Sequence, residues 1–137
     1  MNQSQKNDNL PPTRFMLVDD DKICNTIAKF NVLKYNPEAE VQVYSDPEIA
    51  LATIQQQEIP ADAKTIILLD INMPLLSGWD FLDALARHGE EFCRRFTIIM
   101  LSSSLDYDEL KRAKTHPLLS GFLSKPLNPK ELESMLI

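Results

Sequence analysis

Ile66-Ile67-Leu68-Leu69-Asp70-Ile71-Asn72-Met73-Pro74 decides how the chain is read. An unbroken apolar run meets a carboxylate, and a Met-Pro turn follows at once. A short apolar run bounded by turn signals reads as a strand buried on both faces, as in parallel sheets. Asp70 then stands at the carboxyl end of that strand, the edge of an open α/β sheet where ligands bind. A single Asp in such a place more often caps the next loop. Its meaning depends on what other strands bring beside it.

Upstream, Arg14-Phe15-Met16-Leu17-Val18 is a second apolar run, and it ends in Asp19-Asp20-Asp21. Asp21 is a good N-cap for a helix in which Ile23, Ile27, Phe30 and Leu33 or Lys34 recur at helical spacing. That helix stops before Asn36-Pro37. Alternation around Val41 and Val43 predicts a strand through Tyr44, and Ser45-Asp46-Pro47-Glu48 starts a helix with Ile49, Ala50, Ala52, Thr53 and Ile54 inward. It frays through Gln55-Gln56-Gln57, and Pro60 and Asp62 mark the loop into the opening stretch. Downstream, Ser77-Gly78-Trp79-Asp80 introduces a helix whose apolar face is Trp79, Phe81, Leu82, Leu85 and Ala86, ended by Gly89. Phe96 to Leu101 is a further apolar strand running into Ser102-Ser103-Ser104. Asp106 to Thr115 reads as a weaker helix with Leu110 and Ala113 inward. Gly121-Phe122-Leu123-Ser124 is a last strand, ending in Lys125-Pro126, and Asn128-Pro129 caps a brief helix from Lys130 to Leu136.

Strand and helix patterns thus alternate along the chain without repeat or internal linker, which implies parallel strands with helices on both faces. The expected fold is a doubly wound five-stranded parallel α/β sheet, of flavodoxin-like order 2-1-3-4-5. Alternation by itself does not fix that order. At 137 residues, 44% hydrophobic and 25% charged, the chain reads as one globular domain from residue 14 to 137 behind a flexible polar lead, residues 1–13. A net charge of -6 argues against nucleic acid as a partner. No apolar run approaches the roughly 20 residues of a membrane span, and residues 1–13 lack the apolar centre of a signal peptide. Cys24 and Cys93 read as buried core thiols in a reducing cytoplasm, and two histidines are too few for a zinc site. Trp79 reads as packing, and His88 and His116 receive no chemistry.

The polar residues of interest each follow an apolar strand: Asp19 and Asp20, Asp70, Ser102 and Lys125. In a parallel sheet these ends share one edge. Three carboxylates crowded together repel, and a hard divalent cation relieves them; Mg²⁺ prefers oxygen ligands and completes its octahedron with water and phosphate oxygens. The Lys125 ammonium and the Ser102 hydroxyl suit the same anion. Asp is a known covalent phosphoryl acceptor. No Gly-rich phosphate loop is present, so the donor comes from outside.

Val18-Asp19-Asp20, Leu69 to Pro74 with Gly78, Leu101-Ser102-Ser103 and Gly121 to Pro126 together resemble the receiver domain of two-component response regulators, close to the single-domain chemotaxis-regulator type. The resemblance implies that Asp70 accepts a phosphoryl group from a histidine kinase or histidine phosphotransfer protein. It implies Mg²⁺ held by Asp19, Asp20, Asp70 and the backbone carbonyl of Asn72, with Ser102 and Lys125 on the phosphate. It further implies a cis Lys125–Pro126 bond and a switching aromatic at Phe122. The expected protein is a stand-alone cytoplasmic switch for a downstream protein, modifying itself rather than turning over a substrate. Partner or homodimer contacts would fall on the face of the 106–115 helix, the last strand and the last helix. That face departs from the family pattern at the weak helix and at Pro117-Leu118-Leu119. A magnesium-dependent phosphatase with an Asp nucleophile is the rival reading, but its general acid would fall at Asn72, whose amide cannot act as an acid or base. A third reading is a degenerate receiver that docks without phosphorylation.

Overall fold

The Ile66–Leu69 run lies in a strand, Thr65–Asp70, that is buried at every position. The computed structural model describes residues 13–56, 65–103 and 106–136. In chain order these form β1 (Arg14–Val18), α1 (Lys22–Tyr35), β2 (Glu40–Tyr44), α2 (Pro47–Gln56), β3 (Thr65–Asp70) and α3 (Gly78–Ala86). They continue with α4 (Glu90–Cys93), β4 (Phe96–Ser102), α5 (Tyr107–Thr115), β5 (Leu119–Ser124) and α6 (Pro129–Leu136). The strands make one all-parallel sheet of order β2-β1-β3-β4-β5, the order expected.

Successive side chains of β3 leave on opposite faces. Ile67 and Leu69 join Met16, Val18, Ile98 and Met100 under α2, α3 and α5. Ile66 and Leu68 join Phe15, Leu17, Ile99 and Leu101 under α1 and α6. Each of these β3 side chains is essentially fully removed from water, worth roughly 2 kcal/mol apiece. Parallel pairing carries the register to the carboxyl ends, where Val18 faces Leu69, Asp70 faces Leu101 and Ser102 faces Ser124.

The largest departure from expectation is the rotation of α1. The spacing Ile23, Ile27, Phe30 reads as an inward stripe, yet these residues are 71%, 42% and 65% exposed, while Asn25, Ala28 and Val32 face the sheet. Two forces set that rotation. Asp21 Oδ1 accepts the backbone N–H groups of Ile23 and Cys24, fixing the first turn, and the Asn25 amide finds carbonyl partners below the helix. Lys34 Nζ lies 5.7 Å from the centre of the outward Phe30 ring. In α2 only Pro47, Ala50 and Ile54 are buried, whereas Ile49 and Ala52 point to solvent. Ala86 is likewise exposed.

Helix α3 stops at Ala86, and Gly89 lies just beyond, at φ 94, a backbone region that favours glycine. A further helical turn, α4, was not legible beforehand. It buries Cys93, whose thiol donates to the Leu85 carbonyl at 3.2 Å. Cys24, by contrast, is half-buried at the start of α1 and is no core thiol. Strand β5 begins at Leu119, ahead of the expected Gly121, with a register irregularity opposite Ile98/Ile99. The Pro60–Asp62 loop, Ser104 and most of the N-terminal lead lie outside the described residues.

Gly78 shapes the turn that follows β3. Its N–H donates to the Ile71 carbonyl at 2.8 Å. A Cβ there would lie 2.7 Å from the Asp70 carbonyl oxygen and 2.8 Å from the Met100 methyl carbon. The backbone oxygen cannot yield without moving the end of β3. Gly78→Ala should therefore lower the unfolding free energy by about 1–3 kcal/mol, measured by urea denaturation; an unchanged midpoint would show that the turn has slack.

Candidate functional site

Four strands deliver charged or polar groups to the carboxyl edge of the sheet. Asp19 leaves β1 with its N–H on the Tyr44 carbonyl at 3.1 Å, and its Oδ1 accepts from the N–H of Asp21 at 2.9 Å. Asp70 is the last residue of β3. Ser102 ends β4, fully buried, and its carbonyl accepts the N–H of Lys125 at 2.7 Å. That bond sets Lys125 just past β5, ahead of the cis Lys125–Pro126 peptide.

From that position Lys125 Nζ reaches Asp19 Oδ2 at 2.7 Å and Asp70 Oδ1 at 3.0 Å. Asp20 adds an exposed carboxylate, and oxygens of Asp19, Asp20 and Asp70 all lie within 4.8 Å of one another. Burial pushes the Asp70 carboxyl above the ordinary Asp range, and Asp19 and Asp20 add to this, against the opposing pull of Lys125. Burial draws Lys125 down, but its hydrogen bonds to Asp19 and Asp70 and their charges outweigh it, holding the ammonium above the usual lysine range. The lysine therefore stays charged. Asp21 is held low by the N–H groups of Cys24 and Ile23 and serves as a cap.

The three carboxylates fit a hard divalent cation: they offer oxygen donors in reach of one another, they are two buried and one exposed, and a single ammonium leaves their charge incompletely balanced. Asn72 lies two residues beyond Asp70 in an exposed turn. Phe122 is half-buried on β5, in register with Met100 and packed against the cluster beneath α3. The structure thus pairs Lys125 with Asp19 and Asp70, gathers carboxylate oxygens of Asp19, Asp20 and Asp70 within 4.8 Å of one another, and ties Ser102 to Lys125 through the backbone. Trp79 is buried under the Arg112 guanidinium, 4.3 Å from the ring centre, and His116 lies against the same ring, so all three act in packing.

One residue at this edge escaped the sequence reading. Asn25 is buried, and its Nδ2 donates to the Asp19 carbonyl at 2.8 Å. The signal was present: Asn25, Ala28 and Val32 share a helical stripe, slimmer than the apolar one beside it.

The sequence matches the family model described as response regulator receiver domain over residues 15–137. Among solved structures, a two-component response regulator from Cytophaga hutchinsonii is 26% identical, with a TM-score of 0.79 over 90% of this chain and 93% of that one. A response regulator receiver protein from Dyadobacter fermentans is also 26% identical, with a TM-score of 0.80 over 90% and 94%. A chemotaxis protein of Vibrio cholerae shares the fold at 24% identity, with a TM-score of 0.72 over 92% and 97%. No curated protein matches the sequence.

The strain at Asp70 has a measurable sign. A carboxyl raised in the folded state favours folding below its ordinary value of 3.8, and that contribution is lost as pH rises through its folded value. At neutral pH without metal, Asp70→Asn should therefore raise the melting temperature of the domain. The advantage should vanish as the pH falls below the ordinary Asp range. Equal melting curves at pH 7 in EDTA would contradict the burial argument.

Proposed function

The chain belongs to the response regulator receiver family, and from that premise we propose that it accepts a phosphoryl group on Asp70 and switches partner binding in response. The observation that carries this reading is the Lys125 ammonium held at 2.7 and 3.0 Å between Asp19 and Asp70, where three carboxylates converge. Asp19, Asp20, Asp70 and the Asn72 carbonyl would hold Mg²⁺. When bound, Mg²⁺ supplies charge neutralisation for the transferring phosphoryl oxygens.

The protein's own residues do the rest. Oδ1 of Asp70 is tied to Lys125, so the attack is assigned to Oδ2. An O–P bond forms as the N–P bond to the donor imidazole breaks, and the electron pair of that bond returns to the imidazole nitrogen. Lys125 then shares its donors between Asp19 and a phosphoryl oxygen, and the Ser102 hydroxyl donates to another. Phosphorylation adds nearly two negative charges, and moving Ser102 toward them opens space that Phe122, partly buried on the neighbouring strand, follows into. This is a population shift between pre-existing states. Asn72 has no titratable proton, which favours a modified switch over a phosphatase that turns over substrate. The complete Asp19, Asp20, Asp70 and Lys125 set favours phosphorylation over mere docking.

The donor is assigned as a histidine kinase or histidine phosphotransfer protein, met in the cytoplasm. Ile23, Ile27 and Phe30 support a protein donor: they form an exposed apolar stripe on α1, which starts one turn from Asp19. Downstream and self-association contacts are assigned to α5, β5 and α6, where Tyr107 is exposed. Among the described residues no helix is long and apolar enough to cross a membrane.

Intact-mass measurement after treatment with acetyl phosphate and Mg²⁺ should show one added phosphoryl on wild type and none on Asp70→Asn. Unlabelled wild type, under conditions that label another receiver, would overturn the reading. Phe30→Glu combined with Ile27→Glu should leave acetyl phosphate labelling intact while slowing transfer from a protein donor roughly tenfold, the cost of about 1.4 kcal/mol of lost contact. Unchanged transfer would remove α1 from the donor interface.

A further inference from the structure

We propose that Asn25 is a positioning residue that sets the divalent-cation affinity of the carboxylate cluster by fixing the Asp19–Asp20 peptide. The inference rests on the metal reading above and adds a residue to it.

Asn25 is a polar side chain at 2% exposure, on the face of α1 that otherwise packs Ala28 and Val32. Its Nδ2 donates to the Asp19 carbonyl at 2.8 Å and to the Tyr44 carbonyl at 3.4 Å. Two carbonyl oxygens on one side of the amide fix its orientation, because only the nitrogen can face them. Its Oδ1 is buried with no hydrogen-bond partner among the described residues. An orphaned buried acceptor costs stability, so a residue chosen for packing alone would be apolar here.

The amide restrains a particular peptide. The N–H of Asp19 is spent on Tyr44, and its carbonyl on Asn25. In a trans peptide the following N–H points the opposite way, so anchoring that carbonyl inward also sets the plane from which Asp20 departs. Asp19 has other restraints, through Asp21 and Lys125. Asp20 is exposed, and its aim at the cluster depends on the backbone. Asn25 therefore acts on the metal through Asp20 without touching it. This matches the general behaviour of groups that orient ligands, whose loss weakens metal binding about 10- to 100-fold.

Asn25→Leu keeps the shape while deleting both the donor and the orphaned acceptor. We expect its Mg²⁺ dissociation constant, read by Trp79 fluorescence or by amide NMR shifts, to rise about 10- to 100-fold in a protein that still unfolds cooperatively in urea, its midpoint lowered by the Asp19 carbonyl left unpaired. Val32→Ala, two stripe positions along the same face, should lower the midpoint and leave Mg²⁺ affinity alone. Wild-type protein should show the Asn25 side-chain amide protons shifting as Mg²⁺ saturates. Wild type that binds no Mg²⁺ overturns the metal reading and this inference with it. Wild type that binds, beside a folded Asn25→Leu that binds equally well, overturns the inference alone. Should Asn25→Leu fail to fold, side-chain amide signals that stay still through the wild-type titration overturn it.

Discussion

Taking an ion out of water costs several kcal/mol unless partners replace its hydration. At the edge of this sheet Lys125, Asp19 and Asp70 are all withdrawn to 15% side-chain exposure or less. Lys125 offsets part of the cost of both carboxylates, and they in turn hold its charge. The ammonium answers two carboxylates and remains charged, while Asp70 remains strained by its burial. A buried carboxylate with one oxygen on a lysine and an incompletely neutralised neighbourhood is a poor structural element. The apolar β3 behind it supplies the rigidity that keeps this arrangement from relaxing.

How much of this was readable in advance follows from where the information sits. The β3 run Ile66–Leu69 is apolar at every position, so no rival periodicity competes and the strand is unambiguous. The same holds for the residues at the strand ends, because their placement needs only the alternation of elements and a common strand direction. Helix α1 is different. It carries an apolar stripe and a slimmer one containing Asn25, Ala28 and Val32, and hydrophobicity alone favours the wrong choice. The deciding facts are the carbonyls of Asp19 and Tyr44 beneath the helix, which belong to tertiary structure. The short helix α4 and the early start of β5 at Leu119 were illegible for a similar reason, since neighbouring elements rather than local patterns define them.

The rotation of α1 also explains a division of labour. Burying Asn25 in place of an apolar residue gives up core stabilisation, and it leaves Ile23, Ile27 and Phe30 in water beside the acidic edge. The stripe lies beside the acidic edge, where the proposed donor contact would cover it.

The bond from the Lys125 N–H to the Ser102 carbonyl has a wider consequence. Asp70, Ser102 and Lys125 stand at the ends of three adjacent strands, so their separations follow the roughly 4.8 Å spacing of the ladder. The site has a gauge, set by main-chain hydrogen bonds common to every parallel sheet. Replacing its side chains alters the sign and reach of what lines the opening, but not its width. Loops around this edge are therefore free to diverge in sequence while the spacing of Asp70, Ser102 and Lys125 stays the same.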